Sequence, residues 1–163
     1  MTASVVWPEA KLSPVARARA LAAGIAGAGY HEAIFDVPYE VAWPRLIDLE
    51  RSVPAADKLV RRIRVDERRR LDDGVEELRF RSSSPLGLVA RFTARVEDGF
   101  CLMQATRRLY VVVMAAEPTD DGRTRFGQLE GVPRRGTRFL RPIMRLVVGD
   151  DIKGFRRYVS TSE

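Results

Sequence analysis

Hydrophobic positions fall into three regimes along this chain. Residues 15–25 carry a weak helical spacing (Val15, Ala18, Leu21, Ala22, Ile25), residues 30–132 mostly alternate apolar with polar, and residues 133–159 return to a helical period. Alternation marks a strand with one buried face, so the middle of the chain predicts a sheet and its end predicts the sheet's cover.

A first strand is expected over 30–37, with His31, Ala33, Phe35 and Val37 on one face and Pro38 ending it. Residues 39–50 read as a short helix that starts near Pro38 and then kinks at Pro44, and 51–57 as a second helical turn interrupted by Pro54. Further strands are expected over 59–65, 75–82, 88–96, 100–106, 109–116 and 123–132. Leu59, Ile63 and Val65 share one face of the first of these, and Leu78 and Phe80 point inward from the next. Leu88, Ala90, Phe92, Ala94 and Val96 form the clearest inward row, with Arg91, Thr93 and Arg95 opposite. Residues 109–116 are apolar on both faces, which predicts a central or covered strand. Turn signals at Asp72-Asp73-Gly74, Ser84-Pro85-Leu86-Gly87, Asp98-Gly99 and Asp120-Asp121-Gly122 make the connections antiparallel hairpins.

On a wheel of about 100° per residue, Phe139, Leu140, Ile143, Met144, Leu146 and Val147 share one side of the terminal helix. Arg134, Arg138, Arg141 and Arg145 gather opposite them. Such a helix needs a large apolar partner. The expected fold is therefore α+β: a curved antiparallel sheet of about six to seven strands wrapped around a long C-terminal helix, with two short helices after the first strand. A pocket is expected between sheet and helix. After Gly149 the wheel changes register and brings Asp150 and Asp151 to the buried side. Either the helix kinks there or a carboxylate reaches the pocket, and a kink is the expectation. Residues 1–29, punctuated by Pro8 and Pro14, form an N-terminal extension to a domain spanning 30–163. A short helix packed on that domain is expected of it; a helix closing the pocket mouth or a dimer contact is the alternative.

Composition narrows the class. At 163 residues and 45% hydrophobic the chain suits one domain with a real core. No run reaches the ~18 uncharged apolar residues of a membrane span, and Arg17 and Arg19 interrupt the only alanine-rich segment near the start. With a single cysteine, Cys101, no internal disulfide forms, and a cytoplasmic location is the default. The formal charge is +6, and all but Lys11, Lys58 and Lys153 of the 28 basic residues are arginine. Genomic base composition accounts for such an excess, but arginine's planar fork also keeps an acidic partner in view.

The segment 35–50, FDVPYEVAWPRLIDLE, resembles the opening pattern of the START-like superfamily, also called SRPBCC, whose architecture is the helix-grip fold. The residues that carry the likeness are Pro38, Tyr39, Glu40, Trp43, Asp48 and Glu50; the segment TARVED at 93–98 and the terminal helix also sit where the family would have them. The likeness covers about residues 30–159 and departs at Pro44 and Ser52–Val53. It implies a cavity between sheet and helix and is similar across lipid carriers, hormone receptors, oxygenase domains and polyketide aromatase/cyclases, so it specifies architecture more than activity.

Candidate chemistry is sparse. No CxxC, HExxH, P-loop or GxGxxG occurs, and one histidine with one cysteine argues against the usual zinc site, a Cys–His couple and the oxygenases' iron site; no cofactor or metal is expected. His31 shares a strand face with Ala33 and Phe35, so it points either into the pocket or into water at the sheet margin. Aromatase/cyclases similar to this chain carry an arginine near Arg95 that polarises substrate oxygens, which makes Arg95 the catalytic candidate that the resemblance implies; His31 is a second candidate on its strand face alone. Alternation opposes this role for Arg95, which faces with Arg91 unless a bulge turns it. Expected ligand contacts are Phe35, Leu78, Phe80, Phe92, Gln104, Tyr110, Gln128, Ile143, Met144 and Val147, with Glu130 a further polar candidate.

Three functions follow. The first is a binding protein for a hydrophobic small molecule, lipid-like or polyketide-like. The second is a polyketide aromatase/cyclase that folds its substrate in a shaped pocket with acid/base assistance. An acidic partner such as an acyl carrier protein would then dock on Arg134, Arg138, Arg141 and Arg145; of the basic residues here, Arg134, Arg135 and Arg138 oppose the dipole at the helix start. The same arginines also suit a solvated face with local ion pairs. The third is an adaptor whose basic sheet face does the work and whose cavity is filled by its own side chains. Nucleic acid is not the expected partner, because the basic face lacks interleaved aromatics.

Overall fold

A computed structural model of the chain describes residues 11–71 and 73–161. Pro8 and Asp72, used above as punctuation, lie outside the described residues. Helix α1 spans Pro14–Gly24, with Ser13 capping its first turn and Pro14 at the first helical position. Strand β1 (Gly29–Phe35) leads into α2 (Tyr39–Leu46) and α3 (Leu49–Ala56). Six strands follow: β2 (Arg62–Arg70), β3 (Glu76–Ser83), β4 (Val89–Glu97), β5 (Phe100–Ala105), β6 (Val111–Pro118) and β7 (Thr124–Gly131). A 3₁₀ turn over Thr137–Leu140 opens the terminal helix α4, Arg141–Ser160.

All seven strands form one antiparallel sheet in the order β1-β7-β6-β5-β4-β3-β2. The hairpins make a meander from β2 to β7, and β1 closes on β7. The pair α2–α3 therefore carries the chain from one edge of the sheet to the other. The kink expected at Pro44 falls instead at Ile47–Asp48, between the two helices. Pro44 is tolerated inside α2 because the carbonyl that loses its partner belongs to exposed Glu40. Buried Ser52 Oγ donates to the Leu46 carbonyl at 2.7 Å, satisfying an acceptor that the end of α2 leaves over. Strand β2 runs to Arg70, five residues beyond the expected end, across a register shift between Val65 and Glu67.

The sheet is packed on both faces. On the concave side Phe35, Leu46, Leu78, Phe80, Met114, Phe126, Ile152 and Phe155 belong to the main core, where Phe126 touches Phe35 and Phe155 with centroids 5.1 and 5.6 Å away. On the convex side α1 lays Val15, Ala18 and Ala22 on Phe100, Val111, Val113 and Leu129. That is why residues 109–116 are apolar on both faces. The cover does not reach everywhere: Leu88, expected inward, is exposed and so is Ala90, because the helices pack on the β1–β7 side and on β2, away from this end of β4.

Helix α4 departs most from expectation. Its buried stripe is Val148, Asp151, Ile152, Phe155 and Val159. The flank expected to be buried is largely outside: Phe139 is 74% exposed, Leu146 76% and Ile143 55%, while Leu140, Met144 and Val147 are half-buried. The 3₁₀ turn shifts the phase of the wheel before the helix begins, so positions 139 and 140 do not align with those after 141. The helix also runs so close to β1 that there is no room for a thick apolar layer: a Cβ on Gly29 would stand 2.2 Å from the Met144 carbonyl carbon. The expected kink at Gly149 does not occur. The helix continues through it, with the His31 imidazole 3.6 Å from where a Cβ on Gly149 would be.

Candidate functional site

Between the concave face and the helices lies a cavity of about 370 Å³. Its position follows from alternation on four neighbouring strands. Phe80 on β3, Phe92 on β4, Met103 on β5 and Val112 and Met114 on β6 all point to the same side, and Phe155 of α4 and Val53 of α3 close over them. Phe80 and Phe92 stack nearly parallel with centroids 5.3 Å apart, which makes a flat aromatic wall. Leu59 and Val60, in the connection from α3 to β2, stand at the mouth, and Leu59 is 65% exposed. Lys58, in the same connection, pairs with Asp150 of α4 at 2.9 Å.

One end of this apolar space is polar. The two-residue period of β7 puts Gln128 and Glu130 side by side on the concave face, opposite Met114 and Val112 of β6. Tyr110 stands just before β6, after a turn in which Arg107 and Arg108 both adopt positive φ, an uncommon backbone for residues with a Cβ. Its hydroxyl donates to Glu130 Oε2 at 2.5 Å. Gln128 Nε2 donates to Glu130 Oε1 at 2.6 Å and reaches Asp151 Oδ2 at 3.5 Å. Asp151 comes from the buried stripe of α4, and Asp57 from the end of α3, where its carboxylate accepts the Leu59 amide at 2.7 Å.

Burial dominates the electrostatics here. It pushes the Asp151 carboxyl up to about 9, helped by the negative charges of Glu130 and Asp57, so Asp151 is protonated at neutral pH and hydrogen-bonds to Glu130. Burial raises Glu130 as well, although hydrogen bonds from Tyr110, Asp151 and Gln128 pull it the other way. Asp57 rises for the same reason, and the Tyr110 phenol is raised first by burial and then by Glu130. The arrangement is a nest of acids sharing protons at the end of a greasy chamber. It can orient a polar head group and can give or take a proton. Among the described residues no group of three His, Cys, Asp or Glu side chains is arranged to hold a metal ion.

Of the residues singled out in the sequence as ligand contacts, Phe80, Phe92, Tyr110, Gln128 and Glu130 line the cavity. Phe35 and Leu78 are core residues outside its lining. Gln104 follows Met103 on β5 and so faces the convex side. Ile143 is exposed, and Val147 is half-buried away from the lining; Met144 approaches only through its sulfur, 3.8 Å from the Tyr110 hydroxyl. Arg95 is on the convex face, exposed and paired with Glu77 at 3.7 Å, because no bulge interrupts β4 beside it. His31 is exposed on edge strand β1 next to Gly149, outside the cavity lining. Both catalytic candidates are thus corrected. Among the helix arginines, Arg134, Arg138 and Arg145 are exposed, whereas Arg141 is half-buried with its Nε on the Ala28 carbonyl at 3.4 Å. Sequence reasoning missed Asp57 and favoured a kink over a buried Asp151; the spacing 148, 151, 152, 155, 159 was the signal that would have found Asp151. Cys101 is fully buried, which pushes its thiol up to about 12 and makes it an inert core residue.

No protein-family model matches the chain, and no curated protein matches it. Solved structures do. A protein from Mesorhizobium loti is 14% identical with a TM-score of 0.61, over 83% of this chain and 98% of that one. The di-domain ARO/CYC StfQ from the steffimycin biosynthetic pathway is 13% identical with a TM-score of 0.56, over 89% of this chain and 53% of that one. A START superfamily protein from Mycobacterium smegmatis is 12% identical with a TM-score of 0.54, over 81% and 93%. Likeness at that level of identity speaks for architecture alone. With a seven-stranded antiparallel sheet gripping a C-terminal helix, the chain has the START/SRPBCC-like helix-grip fold.

Proposed function

We propose that the chain binds a hydrophobic small molecule, lipid-like or polyketide-like, in the cavity between the sheet and α4. The observation that carries this reading is the cavity itself: about 370 Å³, walled by Phe80, Phe92, Met103, Val112, Met114 and Phe155, with Asp57, Tyr110, Gln128 and Glu130 gathered at one end and Ser82 a further polar lining residue on β3. Its size and lining suit a small ligand, which needs apolar area for affinity and a few fixed polar groups for orientation. An interior left open in this way does not favour the adaptor. Native mass spectrometry of the protein purified from its own host tests the proposal. A co-purifying apolar compound is expected; the absence both of such a compound and of saturable uptake of a neutral apolar dye would sink the proposal.

A second reading, a polyketide aromatase/cyclase, draws support from Tyr110 and Glu130, a phenol and a carboxyl in contact at the cavity end, and from the fold shared with an ARO/CYC protein. In that case an acidic carrier protein would meet Arg134, Arg138 and Arg145, which are exposed and have no ion-pair partner among the described residues. Incubation with a poly-β-ketone distinguishes the two. Cyclised product that is lost in Tyr110→Phe while dye binding persists supports the enzyme; unchanged substrate supports the carrier.

A further inference from the structure

Resting on the binding reading, we infer that the cavity selects guests whose polar head donates a hydrogen bond, namely alcohols, phenols or amines, and that it rejects carboxylate-headed lipids. The inference starts from Gln128. This side chain is 98% buried in the cavity wall, and its Oε1 has no hydrogen-bond partner among the described residues. The other end of the amide is fully used, because Nε2 faces Glu130 Oε1 at 2.6 Å and Asp151 Oδ2 at 3.5 Å. Turning the amide over would set its carbonyl against these carboxyl oxygens, so the carbonyl is the group left for something else. A buried acceptor without a donor is unfavourable, and a guest that donates to it relieves that penalty.

The surroundings repeat the same preference. The Tyr110 proton is already given to Glu130, and the Asp57 carboxylate accepts the Leu59 amide while keeping its other oxygen. Among the described residues no lysine, arginine or histidine lines the cavity, and the Ser82 hydroxyl belongs to its β3 wall rather than to this end. The polar end is therefore rich in acceptors and poor in free donors. A hydroxyl or ammonium meets partners there. A carboxylate meets only lone pairs and negative charge, and nothing offsets the cost of removing it from water.

Three guests with the same ten-carbon tail separate head-group preference from tail binding: 1-decanol, decylamine and decanoate, titrated calorimetrically into the full chain at pH 7 below their micelle concentrations. Decanol and decylamine are expected to bind about tenfold or more tightly than decanoate. The formal charge of +6 would bias surface adsorption toward decanoate and against decylamine, so a preference for decylamine over decanoate does not come from the protein's exterior. Gln128→Met keeps the volume and removes the acceptor, and it is expected to narrow the gap between decanol and decanoate. Decanoate binding as well as decanol, or a gap unchanged in Gln128→Met, overturns the inference and leaves the binding reading standing. Failure of all three guests to bind overturns the binding reading and the inference with it. The series on the unaltered chain decides the matter even where the variant does not fold.

Discussion

The two faces of the sheet at β6 and β7 solve the same problem differently. On the convex face α1 offers small residues, Ala18 and Ala22, and lies close against Val111, Val113 and Leu129. On the concave face α4 touches backbone at Gly29 and then diverges across the sheet, so Met103, Val112 and Met114 look into open space before Phe155 is reached. One strand can thus be jammed on one side and loose on the other. What differs is the size of the residues at the helix surface and the distance at which the helix crosses, not the hydrophobicity of the strand.

This contrast can be broken by substitution. The largest effect is expected from Phe126→Ala, which removes a fully buried ring in contact with Phe35 and Phe155; a loss of about 3–5 kcal/mol in urea unfolding is expected. Ala18→Leu on the tight face is expected to cost about 1–3 kcal/mol, since α1 cannot retreat without uncovering Val113. Measured the same way, Val112→Leu on the loose face adds its methylene to the cavity and is expected to change stability by less than ~0.5 kcal/mol while weakening uptake of an apolar dye. Equal costs at positions 18 and 112 would erase the distinction between the faces.

Acidity gives a subtler handle on the loose face. Asp151 takes up its proton at about 9 when folded but near the ordinary 3.8 when unfolded. Between those values the folded state holds the extra proton, so stability is present below the lower value and falls as pH rises through the window. Glu130 and Asp57 shift in the same direction and add to the slope. A melting temperature that declines from about pH 5 to pH 9 is expected, with a flatter profile in Asp151→Asn; identical profiles would show that Asp151 is ionised in the fold.

Much of this was legible in the sequence because strands have an unambiguous period. Leu78, Phe80, Ala94 and Val96 went where alternation put them, and Arg95 stayed outside for the same reason. The terminal helix was harder. Its apolar residues at 139, 143 and 146 outnumber what the sheet can cover there, while the stripe that is buried contains an aspartate. A hydrophobicity pattern cannot anticipate a buried acid, because the groups that make it tolerable, Gln128 and Glu130, arrive from a strand 21 to 23 residues earlier. Asp57 was invisible for a related reason: at the end of a short helix it looks like an ordinary capping residue.

The bare spots under α4 limit how the chamber opens. At one end a methyl on Gly29 would collide with helix backbone, and at the other a Cβ on Gly154 would come within 2.4 Å of the Ala56 carbonyl oxygen. A rod seated directly on main chain at two places neither rolls nor slides without losing both seats. On the binding reading, a guest passes instead by the connection that holds Leu59 and Val60 at the mouth, tied to the rod by the Lys58–Asp150 pair, and salt that screens this pair is expected to speed exchange more than it alters affinity.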